Sequence, residues 1–244
     1  MQATHRLTML TLTAHLLGEE RTIHPVLLQD QHGAVLIDAG YPGQLPLLTS
    51  ALQGANAALT NLTTIIVTHQ DIDHIGGLPE LLQAVSHPVE VLAHELEKPF
   101  IQGEQRLLKF SGEAMAQLDS WPPALSAPLK RLIENPPKAQ VTGLLHDLDT
   151  LPYAGGLTVI ATPGHTPGHL SLYHPATKTL IAADALVVED GELQISSQAL
   201  CADYAEAVQS VRKLAAYEIE TILCYHGGRY EGDAAKRLRE LAAI

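Results

Sequence analysis

Residues 65–77 read IIVTHQDIDHIGG. An apolar run stops at Thr68, and two histidines and two aspartates then fall between positions 69 and 74, closed by Gly76 and Gly77. The run reads as a buried strand whose end brings side chains to the rim of a sheet. In an extended chain His69, Asp71 and Asp73, two apart, share a face, and His74 addresses a neighbouring position. Neutral imidazole and ionised carboxylate are the usual ligands of divalent metals in hydrolytic sites, so one metal or two adjacent ones fit the spacing. Asp, Gly and His also suit an ordinary turn, and the stretch alone does not separate the two readings.

The rest of the chain weights the first. ATPGHTPGHLSLY (161–173), IAADAL (181–186) and LCYHGG (223–228) each put a His or Asp at the end of a predicted strand. Strands are predicted over 5–14, 23–28 and 33–40, a helix over 44–57, a strand over 63–69, a helix after Gly77 and a strand over 89–94, in an alternating α/β rhythm. From about 97 to 137 the rhythm breaks. Five prolines follow Trp121 there, with helical patches at 113–120 and 126–134, and the segment reads as a helical insertion. Short strands between 141 and 186, a helix over 203–217, a strand over 221–228 and a helix from Asp233 complete a single domain over 1–244.

Composition narrows the class. With 244 residues and 46% hydrophobic content the chain can bury a substantial core. No apolar run is long enough for a transmembrane helix, the N-terminus lacks the features of a signal peptide, and a cytoplasmic location is expected. The formal charge of -12 disfavours nucleic acid and anionic membrane as partners. Cys201 and Cys224 form no metal-binding spacing.

Taken in order, Asp38 in VLIDAG, HQDIDH (69–74), His165 in PGHTPGH, Asp184 and His226 resemble the five motifs of the metallo-β-lactamase superfamily, over residues about 33 to 228. The resemblance implies an α+β fold, a four-layer αββα sandwich, with two divalent metal ions at one edge. It implies that His69, the residue at 71 and His165 hold the first metal, that Asp73, His74 and His226 hold the second, and that Asp184 bridges them. Asp38 would stand behind the ligands, and His169 would support His165 or its loop. The implied nucleophile is hydroxide between the metals, with Asp73 as the catalytic group that orients it or moves a proton.

Position 71 departs from the family's H-x-H-x-D-H pattern. An aspartate there either joins the ligands or turns away and leaves the first position weak. As a ligand it adds a negative charge and harder character, so iron or manganese becomes more competitive with the zinc expected by family. The extra anion should also displace the activity optimum to higher pH than in a five-histidine relative. The expected function is metal-dependent hydrolysis of a small ester, lactone or thioester, with a small molecule as partner; the sequence allows a homodimer without requiring one. The alternatives are a diiron redox or oxygen-handling protein, which would need a flavin domain or electron donor not expected in this chain, and a non-catalytic metal-binding regulator. The 97–137 segment is the expected lid, pocket wall or dimer contact, with Phe100, Phe110 and Trp121 as apolar contacts. Val187 stands where superfamily lactonases often carry tyrosine.

Overall fold

In the computed structural model of the chain, residues 5–244 are described apart from 17, 111, 113–115 and 117. Among them the strands form two six-stranded sheets and two hairpins. The first sheet runs in the order β1 (Arg6–Met9), β4 (Val26–Asp30), β5 (Gly33–Ile37), β6 (Leu62–Ile66), β7 (Glu90–His94), β8 (Gly143–Leu145), with β5 through β8 parallel. The second runs β16 (Gly228–Arg229), β15 (Thr221–Cys224), β12 (Thr179–Ala183), β11 (Leu170–His174), β10 (Leu157–Ala161), β9 (Thr150–Leu151). The hairpins are β2 (Leu12–Leu16) with β3 (Glu19–Ile23), and β13 (Leu186–Glu189) with β14 (Glu192–Ile195).

Three separate apolar clusters mark the three contacts between four layers. Because strand side chains alternate faces, Val26, Leu28, Val35 and Ile37 of the first sheet meet Leu157, Val159, Leu172 and Ile181 of the second. Their neighbours Leu27, Leu36 and Ile65 point the other way, onto Leu48 and Leu52 of α1 (Leu45–Gly54) and Leu78 and Leu81 of α3 (Leu78–Ala84). On the far side Leu180, Ala182 and Ile222 meet Val208, Val211 and Leu214 of α6 (Tyr204–Leu214) and Leu238 and Leu241 of α7 (Ala234–Ala242). This is the αββα sandwich. Both faces of the central strands are buried, which is why they read as continuous apolar runs.

Several boundaries differ from those predicted. The 5–14 strand is two, because the chain leaves the first sheet after Met9 and re-enters extended structure at Leu12 in a hairpin. Pro25 separates β3 from β4, where one strand over 23–28 is expected. The β13–β14 hairpin has no counterpart among the predicted strands. In the 97–137 segment, α4 (Lys98–Ile101) and α5 (Pro123–Glu134) are helical, and part of the expected 113–120 patch lies outside the described residues. Gly76 and Gly77 do not serve a special turn, since both have helical dihedrals (φ -58° and -80°). They are needed for close approach: a Cβ would lie 2.3 Å from Pro42 Cδ at 76 and 2.2 Å from the Ala39 carbonyl oxygen at 77. Among the described residues no helix is long and apolar enough to cross a membrane.

Candidate metal centre

The site lies where strands of both sheets end. Asp38 follows β5, Thr68 and His69 follow β6, His165 follows β10, Asp184 follows β12 and His226 follows β15. Asp38 (φ 63°) and Ala183 (φ 47°), at two of these ends, hold the left-handed backbone that side chains rarely adopt. Strain of this kind persists only where the surroundings fix it. Here backbone bonds across the rim do so: Asp38 N–H donates to Ile66 (2.9 Å), Ala39 N–H to His74 (2.8 Å) and Leu170 N–H, from the second sheet, to Thr68 (3.0 Å). Asp73 and His74 sit on the one-turn helix α2 (Ile72–Ile75).

All seven residues expected to meet do meet. Donor atoms of His69, Asp71, His165 and Asp184 lie within 4.8 Å of one another, and so do those of Asp73, His74 and His226. Asp184 reaches both groups, with Oδ2 3.5 Å from His165 Nε2 and 3.3 Å from His226 Nε2, and Oδ1 3.4 Å from His74 Nε2. Asp73 Oδ2 is 3.1 Å from His226 Nε2. Asp71 does not turn away: its Oδ2 is 3.2 Å from His69 Nε2 and 2.9 Å from His165 Nε2. Although it occupies the N-cap position of α2, its side chain makes no capping bond, so the carboxylate faces inward.

The hydrogen bonds behind these atoms fix which nitrogens face the centre. Asp38 accepts from Thr68 N–H (2.9 Å), from the Thr68 hydroxyl (2.8 Å) and from His74 Nδ1 (2.8 Å). With its proton spent on Asp38, the Thr68 hydroxyl accepts from His69 Nδ1 at 3.0 Å, leaving His69 Nε2 as a bare lone pair. That lone pair faces the Asp71 carboxylate. His69 Nε2, His74 Nε2 and Asp184 Oδ1 are all buried without a hydrogen-bond partner. Unpaired donor atoms converging on one volume, each backed by an orienting bond, are what a bound cation requires. The residues therefore fit divalent metal.

His169 braces the loop of His165, as expected, and a second group besides. Its Nε2 accepts the Asp184 backbone N–H at 3.1 Å, and its Nδ1 bonds Thr162 Oγ1 at 2.9 Å. It fixes the Asp184 peptide, whereas His165 is oriented through Nδ1 by Ser196 Oγ at 3.0 Å. Glu97, fully buried, accepts from Gln70 N–H (2.9 Å) and Gln70 Nε2 (3.1 Å) with one oxygen and from Gly168 N–H (2.7 Å) with the other. It thus ties the HQDIDH loop to the PGHTPGH loop. Lys109 Nζ contacts Asp71 Oδ2 and lies 2.9 Å from His165 Nε2. Neither Glu97 nor Lys109 carries a local sequence signal, because each acts across dozens of residues. Phe100 and Phe110 pack on the outer core of the first sheet and Trp121 is exposed, so among the described residues of the 97–137 segment Lys109 is the one that contacts the centre.

A cleft of about 470 Å³ opens onto Asp71, Asp73, Asp184 and His226, walled by Val187 and Ile195 of the β13–β14 hairpin. Tyr41 also lines it. Burial and the neighbouring Asp73 charge hold its phenol protonated well above the usual range.

Without metal, protons and Lys109 offset the carboxylates. Burial opposes charge on His165, but the bond to Asp71 and the Asp184 charge prevail and raise it to about 9. Burial likewise opposes charge on His226, and Asp184 and Asp73 raise it to about 10. His74 is also raised, by Asp38 above all, against its burial. Burial works against ionised Asp71, yet the His165 bond and the Lys109 charge hold its pKa well below the carboxylate range. A histidine with a raised folded pKa stabilises fully below its unfolded value, here 6.5, and that contribution is lost as pH climbs to the folded value. The Asp71 contribution, of opposite sense, is already complete above the unfolded carboxylate value of 3.8. Metal-free protein is therefore expected to lose stability between pH 6.5 and 9, His165 alone giving on the order of 3 kcal/mol. Metal needs the same imidazoles neutral, so stabilisation by added Mn should grow over that window. Urea midpoints at about pH 6.5 and 8.5, with and without metal, check this; a metal-free midpoint that rises with pH contradicts it.

The metallo-β-lactamase superfamily model matches residues 19–226. The chain belongs to that superfamily. A probable metallo-hydrolase, YflN, of Bacillus subtilis (strain 168) is 31% identical over 212 residues, 82% of this chain and 78% of that one. Among solved structures, a metallo-beta-lactamase family protein from Thermus thermophilus superposes with a TM-score of 0.72 at 23% identity, covering 97% of this chain and 78% of the other. A metallo-beta-lactamase from Pontibacter korlensis gives 0.67 at 17% identity, covering 99% and 98%. At these identities the structural likenesses speak to the fold. With superfamily membership comes the hydrolase class expected from the sequence.

Proposed function

We propose that this superfamily member hydrolyses a small ester, lactone or thioester at a centre holding two divalent metal ions. The carrying observation is the convergence of orphaned donor atoms, His69 Nε2, His74 Nε2 and Asp184 Oδ1, at the foot of an open cleft. His69, Asp71 and His165 would hold one ion, Asp73, His74 and His226 the other, and Asp184 both. Bound there, the ions would polarise a carbonyl and acidify water. Asp73, bonded to His226 and beside the Tyr41 phenol, would orient the attacking oxygen and pass a proton toward the leaving group. Val187, Val188, Ile195 and Leu200 offer an apolar wall for an acyl or alkyl part of the substrate. The absence of tyrosine at 187 favours open esters and thioesters over lactones.

Asp71 facing the centre gives a diiron redox reading a specific observation of its own, and the same experiment separates the two. Chelated protein should be inert toward a panel of generic esters, thioesters and lactones and regain turnover with Zn, Mn or Fe. Oxygen consumption with iron and a reductant, without hydrolysis under any metal, would overturn the hydrolytic reading.

A further inference from the structure

Lys109 sits where a cation would. Its Nζ contacts Asp71 Oδ2 and lies 2.9 Å from His165 Nε2, two atoms themselves 2.9 Å apart. A metal bound at coordination distances of about 2.0–2.2 Å from those atoms needs the volume the ammonium fills, and needs the Asp71 carboxylate oxygen it engages. Among the described residues, the ion pairs of Asp73 and Asp184 are all with imidazoles, so the second position has no such occupant. The placement is braced. Leu108 N–H donates to Gln70 Oε1 at 2.8 Å, and Gln70, between His69 and Asp71, is itself held by Glu97. The lysine also has somewhere to go, since its side chain is 39% exposed while that of Asp71 is 5%.

We propose that the Lys109 ammonium is an internal competitor for the metal position framed by His69, Asp71 and His165, so that the two positions fill in order. The position at Asp73, His74 and His226 loads first, and the other loads only as Lys109 withdraws toward solvent. Two cations cannot share the first position without strong repulsion at such separations. The aspartate at 71 is what makes the arrangement possible. A neutral imidazole there would offer the ammonium no counter-charge, whereas a buried carboxylate binds it firmly. Lys109 thereby converts the exchange at position 71 into a difference in affinity between two neighbouring sites. This inference rests on the reading that the centre binds divalent metal.

The test is equilibrium binding of Mn or Zn to the chelated full chain, wild type and Lys109→Met, read as bound metal per chain. Alongside it, reductive methylation of wild-type lysines is followed by mass spectrometry at zero, one and two equivalents of metal. Wild type should take the first equivalent about 100-fold more tightly than the second, and Lys109→Met should bring the two constants within about tenfold, as expected when a buried ion pair partner is removed. Lys109 should be protected at zero and one equivalent and labelled at two. Equal affinities in wild type, or labelling of Lys109 indifferent to metal, overturns the ordering while leaving the metal centre standing. Absence of metal uptake by both proteins removes the metal reading itself, and the ordering with it.

Discussion

Asp184→Asn is expected to lower kcat/KM by about a thousandfold or more, because the polarisation supplied by bound metal contributes several kcal/mol to a hydrolytic barrier. The reason is geometric. Asp184 is the side chain that approaches all four imidazoles, with its oxygens 3.3–3.9 Å from the Nε2 atoms of His69, His74, His165 and His226. An amide keeps its shape but brings no charge, and its nitrogen cannot donate electrons to a metal. Folding should survive, since the bond that places this residue runs from its backbone N–H to His169 and is untouched by the exchange. Metal content measured beside the kinetics should fall below two per chain. A variant with full metal occupancy and more than a tenth of wild-type kcat/KM would take Asp184 out of the bridging role.

Asp38→Ala is expected to cost about 4 kcal/mol or more of stability, enough to leave a domain of ordinary stability partly unfolded. Its carboxylate is 1% exposed and accepts three bonds, from the Thr68 amide, the Thr68 hydroxyl and His74 Nδ1. Truncation leaves the Thr68 amide and hydroxyl buried without their acceptor, each costing about 1–3 kcal/mol, and leaves His74 Nδ1 only its 3.4 Å contact with Thr68 Oγ1. The backbone adds to this, because residue 38 has φ 63°, which alanine adopts at a cost of about 1–2 kcal/mol. Asp38→Asn is the informative companion. Asparagine tolerates the backbone and still accepts, so it should lose less stability while weakening metal binding about 10- to 100-fold by failing to orient His74. Urea melts of both variants check the order, and an alanine variant within about 1 kcal/mol of wild type would contradict it.

Much of the site was legible because its residues stand where local patterns stop. A strand that reads as an apolar run has to end, and the side chains just past that end are exposed to whatever the rim of the sheet offers. Asp38, His69, His165, Asp184 and His226 all carry that signature, and the short spacing of 69 to 74 supplies the remainder. The unbroken apolar runs in β4, β5 and β12 likewise anticipate sheets buried on both faces, as the inner and outer clusters show. What local pattern cannot carry is partnership. His169 bonds Thr162 of its own loop, a partner local spacing suggests, but the Asp184 peptide that its ring also serves lies fifteen positions away. Position 71 shows the limit most plainly: composition permits an aspartate to face in or out, and the choice is made by His69 and His165 arriving on either side of it.

The sequence by itself carried the alternation of strands and helices and the strand ends that hold the ligands, because periodicity and spacing act over a few residues and survive in linear order; the four-layer sandwich was implied by the resemblance of the ordered motifs to the superfamily, not by periodicity. Only the tertiary structure decided that Asp71 points inward, that Glu97 clamps two loops and that Lys109 reaches the centre, 38 residues from Asp71 and 56 from His165. Electrostatic and hydrogen-bonding choices of that kind depend on which groups meet in a buried volume, and chain folding sets that meeting where spacing along the chain does not.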